Sequence, residues 1–588
     1  MKRNPIRFRA FLVMLFVVIF VGLFVIKLVD IQVIRASAYN EESVGKRSIP
    51  STVLAKRGTI TDAKGTVMAE SVLRYNITVS PKNAKDFLRQ TDRSEVTITP
   101  QQAAIEIGTI TGQKPEEILK IIADALAENP KSDFAYIKKA VDVDTFRALY
   151  ALEIPWLFFE QAPGRTYPAG AVGGNLLGYV GQDGQPQAGL ELAQNDCLAG
   201  TNGEEVYQRG ADGIRIPGST VTSVAAENGG SLKLTINSDL QWYSQQVLAK
   251  RVTETNAQWG IVIVQEVKTG KLLTVADYPT VDPNNVNGSD ESARGSRAFT
   301  SPYEPGSTIK ALTAAGLINS GAADPSTQVI APYALTFPNG AKVNDAVPHG
   351  SWPLTLTGVL QESSNTGITQ LGQALDAKTR YDYLRAFGFG ETSAVNFPGE
   401  SGGILHPYEE WDNQTTYNTM FGQGLATTAV QVAGAYQTLG NGGVHLPASL
   451  VEECVKADGT VVKPEQSKGT QVVSPEAART TVDMLENVVT QGALTSVVQI
   501  PGYRSALKTG TAQQSDGSGK YGEKYIVSNA GLIPADDPQY VVYVVIAYPD
   551  GNTFMASPPV FRDVMAQVIK EYRIQPSTSA SPALAVRF

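Results

Sequence analysis

At 588 residues the chain exceeds the roughly 250–300 residues over which one core grows, so two or more domains are expected. A net charge of −8, with no basic stripe interleaved with aromatics, argues against a nucleic-acid surface, which needs clustered Lys and Arg. Three histidines (His349, His406, His445) in no H-E-x-x-H spacing and two cysteines in no C-x-x-C predict no metal site and no cofactor. Cys197 and Cys454, far apart, read as small buried apolar residues and not as a disulfide framework.

The first element is a membrane anchor, over residues 10–30. Ala10 to Ile26 is an unbroken apolar run, Gly22 included, and Leu28 and Val29 extend it past a Lys27 that can snorkel. Ala36-Ser37-Ala38 resembles a signal-cleavage site, but signal cores span only about 7–15 residues, so an uncleaved anchor is preferred. Lys2, Arg3, Arg7 and Arg9 place the tail, residues 1–9, in the cytoplasm, although Arg35, Lys46 and Arg47 lie on the other side. With no second span of that length, the remainder is expected outside the cytoplasm.

Residues 35–228 form a mixed first domain. Tyr75 to Val79 is strand-like, and Ile118, Leu119, Ile122 and Leu126 mark a helix over Pro115 to Ala127. Val44 to Asp62 has little helical periodicity. Gly210 to Gly230, rich in Gly, Ser and Thr, reads as a hairpin and then a boundary. A second domain follows over 229–574. Trp242 to Val252 is an amphipathic helix, and two apolar strands flank a Lys268-Thr269-Gly270 turn. A helical middle runs from Ser307 to Leu439, and late strands cover Lys508 to Gln514 and Tyr540 to Ala547. Strands, helices, then strands predict an α+β fold, an antiparallel sheet with surrounding helices. The Pro-, Ser- and Ala-rich residues 575–588 are expected to be disordered.

Three motifs fall in order in this second domain: Ser307-Thr308-Ile309-Lys310, Ser363-Ser364-Asn365 and Lys508-Thr509-Gly510-Thr511. Each alone is weak, since Ser43-Val44-Gly45-Lys46 repeats the first pattern and Lys268-Thr269-Gly270 the last. Order and context choose between copies: Ser307 opens a helix-like run, and Lys508 follows both other motifs. Residues i and i+3 share a helix face, so Lys310 lies on the side of Ser307. A serine hydroxyl needs a base, and a lysine is one only when neutral; partial burial and a second cation such as Lys508 both lower its pKa. The bland readings are a surface lysine for Lys310 and a helix cap for Ser363 and Asn365.

S-x-x-K, S-x-N and K-T-G in this order resemble the active-site set of the penicillin-recognising serine acyltransferases. The Arg57–Gly65 box, Arg165-Thr166-Tyr167-Pro168 and Gly189-Leu190-Glu191 are similar to the amino-terminal pedestal, or dimerisation domain, of class B penicillin-binding proteins. The resemblance covers roughly residues 45–565. It implies a membrane-anchored peptidoglycan D,D-transpeptidase, most like the division-type members that act at the septum. Ser307 would then be acylated and Lys310 its base. Ser363 would relay a proton, Asn365 bind the donor peptide, and Lys508 and Thr509 bind its terminal carboxylate. The N–H groups of Ser307 and Thr511 would form the oxyanion hole, with Gly510 leaving the strand edge open to substrate. Partners implied are stem peptides, β-lactams, a polytopic SEDS-type glycan polymerase and other division proteins. No upstream region is long enough for a glycosyltransferase, so crosslinking and not polymerisation is expected.

Arg57, Asp62, Arg165 and Glu191 carry no obvious chemistry and read as architectural. So do Asp345, Phe421-Gly422-Gln423-Gly424, Gln431 and the Ser528–Pro534 stretch. An elongation-type transpeptidase and a D,D-carboxypeptidase use the same motifs and remain alternatives. A β-lactam sensor should carry several membrane helices, and an idle divisome scaffold should have lost a motif residue; this chain shows neither feature. Ser364 replaces the acidic residue of the S-D-N form.

Overall fold

The computed structural model describes residues 5–90, 94–208, 216–465, 467–515, 521–551 and 553–588. They divide into two compact units, Met1–Lys56 with Gly200–Gly229, and Arg57–Ala199 with Gly230–Phe588. In the first unit the apolar run is helix α1 (Pro5–Val29), which continues as a π-helical turn over Asp30–Ile34. It is long and apolar enough to cross a membrane. Lys2 and Arg3, and residues 210–215 of the expected hairpin, lie outside the described residues. A helix over Ala36–Arg47 reaches further than the weak periodicity predicted. It contains the decoy Ser43–Lys46, whose exposed lysine pairs with Glu42 at 2.6 Å.

The second unit is built on two sheets. In the first, seven strands run in the order Val461–Val462, Val451–Val455, Ser231–Leu234, Ile60–Thr61, Val67–Val79 and Ala135–Val141, with Leu157–Thr166 also paired to Val67–Val79. Ser231–Leu234 and Ile60–Thr61 pair in parallel, so residues on both sides of the boundary expected at residue 229 share one sheet. Architectural residues fill the adjoining segments as expected. Glu191, fully buried, takes Arg57 Nε at 2.6 Å and Arg165 Nε at 2.7 Å. Asp62 accepts from the backbone of Lys64 and Thr66 and from the Ser238 hydroxyl at 2.6 Å.

The cysteine expectation is corrected. Cys197 and Cys454 form a disulfide, with Cα atoms 6.1 Å apart. Their separation of 257 residues hides a simple contact: Cys454 lies opposite Leu232 in the sheet, and Gly230 N–H donates to Cys197 O.

The second sheet holds β1 (Trp259–Glu266), β2 (Leu272–Tyr278), β3 (Ala506–Ser515), β4 (Tyr521–Ile533) and β5 (Tyr540–Ala547), in the antiparallel order β2-β1-β5-β4-β3. The strands at its centre are apolar on both faces because both are covered. Val262, Val264, Val542 and Val544 pack with Leu240, Leu248, Phe561 and Val564 of helices α2 (Ser238–Glu254) and α8 (Pro558–Tyr572). Ile261, Ile263, Val541 and Tyr543 face the helical middle, made of α3 (Lys310–Asn319), α4 (Leu356–Gln361), α5 (Asn365–Gly372), α6 (Ala429–Gly440) and α7 (Pro475–Thr490). Strand β3 pairs only with β4, so its other edge is open towards those helices. The decoy Lys268–Gly270 is the turn between β1 and β2, as expected, with Lys268 and Thr269 exposed.

Residues 575–588 are also corrected. They are not disordered: the segment runs extended over the second unit, held by polar groups of Arg504, Asn487 and Thr355. Its seat combines these hydrogen bonds with Leu584, which packs against the core of the second unit, a contact that composition does not disclose.

Candidate active site

A short 3₁₀ turn, Gly306–Ile309, precedes α3 and carries Ser307. Two glycines make the turn feasible. Gly306 has φ +61°, which a side chain would strain. Gly422 lies so close that a Cβ there would stand 2.1 Å from Gly306 O, and Gly306 N–H donates to Gly422 O at 2.9 Å. From below, Tyr436 OH donates to Thr308 O at 2.8 Å, and the hydroxyls of Tyr303 and Tyr543 lie 2.6 Å apart. Ser307 itself is half-buried, while Lys310, one turn on, is fully buried.

The three motifs meet. Lys310 Nζ donates to Ser363 O and lies 3.3 Å from Ser363 Oγ. Lys508 Nζ donates to the same Oγ at 2.8 Å from β3, and is also fully buried. One hydroxyl thus joins two buried amines. Burial pushes the Lys310 amine down to about 7, against a small opposing pull from Asp345. Lys508 is held well below its ordinary value, first by burial and then by the charge of Lys310. Burial thus disfavours the charged form of both amines, and the charge of Lys310 adds to it at Lys508. A surface-lysine reading of Lys310 is excluded by that burial.

Ser363 adopts the left-handed region, φ +59°, sparsely populated for a residue with a side chain. Asp345 holds the turn that follows. It accepts from Ser364 Oγ at 2.7 Å and from the N–H groups of Asn365 and Thr366, while His349 Nε2 lies 2.9 Å from its Oδ2. Ser364 also caps α5, its Oγ accepting from Gly367 N–H at 2.9 Å. The N-cap is thus Ser364, and the cap reading of Ser363 and Asn365 does not hold. Asn365 donates its amide to Asn344 O at 2.8 Å, at the rim.

On β3, Lys508 and Gly510 lie opposite Ala530 and Ser528 of β4. Packing supplies a reason for Gly510 of its own. A Cβ there would stand 2.3 Å from Ser528 Oγ and 2.9 Å from Pro305 O, so the glycine lets the Gly306–Ile309 turn seat on the strand. Thr509 and Thr511 are half-buried along the open edge.

Sequence reasoning did not single out Glu304, three residues before Ser307. Its Oε1 accepts from Gly424 N–H at 3.0 Å and from Tyr521 OH at 3.2 Å, and burial pushes its carboxyl up to about 7. It also passed over His349, which stacks on Trp352 with ring centroids 3.4 Å apart. Neither lies in a motif; both are recognisable only from their neighbours. No group of His, Cys, Asp and Glu among the described residues could hold a metal ion.

Two buried lysines meet on the Ser363 hydroxyl, beside the Ser307 turn and an open sheet edge, an arrangement that can activate a serine without a histidine. Family models agree over most of the chain: a penicillin-binding protein transpeptidase domain matches residues 260–566, and a penicillin-binding protein dimerisation domain matches residues 52–234. The penicillin-binding protein PbpB of Mycolicibacterium smegmatis is 32% identical over 96% of this chain and 90% of its own length. The peptidoglycan D,D-transpeptidase FtsI of Escherichia coli is 30% identical over 89% of this chain and 85% of its own. Penicillin-binding protein 3 of Mycobacterium tuberculosis, solved in complex with aztreonam, superposes with a TM-score of 0.69 at 26% identity, covering 92% of this chain and all of that one. The chain belongs to the penicillin-binding protein transpeptidases that carry an amino-terminal dimerisation domain.

Proposed function

We propose that this protein is a peptidoglycan D,D-transpeptidase that crosslinks stem peptides through an acyl-enzyme on Ser307, in septal wall synthesis. The observation that carries the reading is the single Ser363 hydroxyl held by two buried lysines beside the Ser307 turn. Neutral Lys310 removes the Ser307 proton as Oγ attacks the carbonyl of the penultimate D-Ala. The ester forms and the C–N bond breaks, while Ser363, fed by the lysines, protonates the departing D-Ala amine. An amine of a neighbouring stem then attacks the ester, loses a proton to the same base, and frees Ser307. The N–H groups of Ser307 and Thr511 hold the oxyanion; losing one such donor typically costs about 10²–10³ in rate. The donor peptide lies along the open edge of β3, with Asn365 and Thr509 on its flanks and Lys508 drawing in its terminal carboxylate.

β-Lactams acylate Ser307 by the same attack, but the opened ring stays attached and no leaving group makes room for the acceptor. The complex of the mycobacterial relative with aztreonam supports this susceptibility. The septal assignment rests on the likeness to FtsI and carries with it a SEDS-type glycan polymerase and other division proteins as partners. Helix α1 anchors the chain once in the membrane, with Arg7 and Arg9 on the cytoplasmic side and the catalytic domain outside. Fluorescent penicillin tests the core of the reading. Label on the wild type that is lost in Ser307→Ala supports it; equal label on both, or none on folded wild type, defeats it.

A further inference from the structure

The segment 573–588 crosses the second unit and ends on the elements that hold Ser363. Tyr503 OH donates to Ile574 O at 2.9 Å, and Ser577 N–H donates to Gly502 O at 3.0 Å. Arg504 Nη1 then donates to Ser579 Oγ at 2.7 Å. On α7, the buried Asn487 clamps Leu584 twice, donating to its O at 2.7 Å and accepting from its N–H at 3.3 Å. The next residues join the strand Trp352–Thr355: Leu354 bridges Arg587, Thr355 N–H donates to Val586 O at 3.0 Å, and Thr355 Oγ1 donates to Ala585 O at 2.6 Å. Gly358 of α4 approaches so closely that a Cβ there would stand 2.0 Å from Val586 O.

Two routes lead from this seat to the S-x-N motif. Thr355 is the N-cap of α4, its Oγ1 accepting from Gly358 N–H at 3.0 Å, and Ser363 follows two residues after that helix ends at Gln361. The second route is through rings. The Arg587 guanidinium sits 5.8 Å from the Trp352 centroid, Trp352 stacks on His349, and His349 meets the Asp345 carboxylate that holds Ser364, Asn365 and Thr366. Arg587 also lies 3.9 Å from Glu362, the residue before Ser363.

We propose that residues 584–587 are a positioning strap, an added strand that fixes α4 and the Asp345–His349 support and so holds Ser363 in register with both lysines. The strap touches neither substrate nor reacting atoms. Its effect is through geometry, where a displacement of about 1 Å is enough to cost about 10²-fold in rate. The kinetic part of the proposal rests on the acyl-transfer reading above, while the structural part does not.

The test compares full-length protein in detergent with a deletion of residues 584–588 and with Arg587→Ala and Arg587→Lys. The saturating acylation rate by fluorescent penicillin is measured beside hydrogen exchange of residues 363–369 and of β1 and β5. We expect the deletion to lower the saturating rate at least tenfold with little change in half-saturation. Exchange should quicken at 363–369 and stay slow in β1 and β5. Arg587→Ala should show a smaller loss that Arg587→Lys restores in part, and a peptide spanning 575–588 should rescue the deletion. Wild-type rate and wild-type exchange at 363–369 in the deletion would overturn the strap, and so would loosening spread equally through β1 and β5. Wild type that takes no label would count against the acyl-transfer reading alone, since the exchange comparison is still read.

Discussion

The rate of acylation should follow the protonation of the Lys310–Lys508 pair, and the structure sets the window. Burial holds the Lys310 amine at about 7 from an ordinary value of 10.5. At about 1.4 kcal/mol per unit, that shift is worth about 5 kcal/mol of destabilised ammonium. An ordinary lysine at pH 7 would be neutral about once in 3,000 molecules; this one is neutral in about half of them. The sign is fixed by which form reacts. Protonation removes the base, so the rate falls as pH drops below 7 and levels off above 8. The neutral fraction goes from about 0.09 at pH 6 to about 0.91 at pH 8, a tenfold rise in the second-order acylation constant. The apparent pKa belongs to both amines, because they meet on one hydroxyl. Stopped-flow acylation by fluorescent penicillin between pH 5.5 and 9 measures it, with melting curves at each pH to confirm folding. A flat profile would refute a lysine base. A profile that climbs tenfold per unit through pH 9 would refute a buried one.

Three further outcomes follow from packing. Gly510→Ala places its Cβ 2.3 Å from Ser528 Oγ and against the nucleophile turn; penicillin acylation should fall by about 10² or more with the melting temperature little changed, and Ser528→Gly added to it should recover part of the rate. Glu191→Ala strands Arg57 and Arg165 at a fully buried position, which should cost about 3–5 kcal/mol and lower the thermal transition; an unchanged melt would show the pair to be dispensable. Cys197→Ser with Cys454→Ser removes a crosslink spanning 257 residues and should cost about 2–4 kcal/mol, while reductant should lower the wild-type melt and leave the double variant unmoved.

What the sequence disclosed depended on how far apart the cooperating residues lie. The ordered motifs led to Ser307, Lys310, Ser363 and Lys508 because each sits in a short recognisable string, and the two decoys were separable by context alone. The central strands were plain because β1 and β5 are apolar on both faces. Pairings across long separations left no trace. The disulfide needs Ser231–Leu234 and Val451–Val455 to be neighbours, a fact of topology. The seat of residues 584–587 rests on hydrogen bonds to Thr355 and Asn487 beside the packing of Leu584, and such bonds have no compositional signature. Gly510 has a packing reason that its motif does not disclose. A missing side chain can clear space on either face of a strand, and only the partner strand and turn say which.

These hidden contacts bear on the chemistry as much as the motifs do. An amine near neutrality at pH 7 requires that water be kept from Lys310 and that its partners stay fixed, since any opening of the site returns the lysine to its solvated value. The burial is assembled from distant parts: Gly422 under Gly306, Gly510 against Ser528, and Tyr436 beneath Thr308. Ser363 is the least secure member, a left-handed residue between two helices with a hydroxyl that must satisfy two lysines. The Asp345 carboxylate fixes it from the following turn, and the strap fixes Asp345 and α4 in turn. A lysine that serves as a base near neutrality does so by exclusion of water, and so it depends on packing that extends well beyond the three motifs.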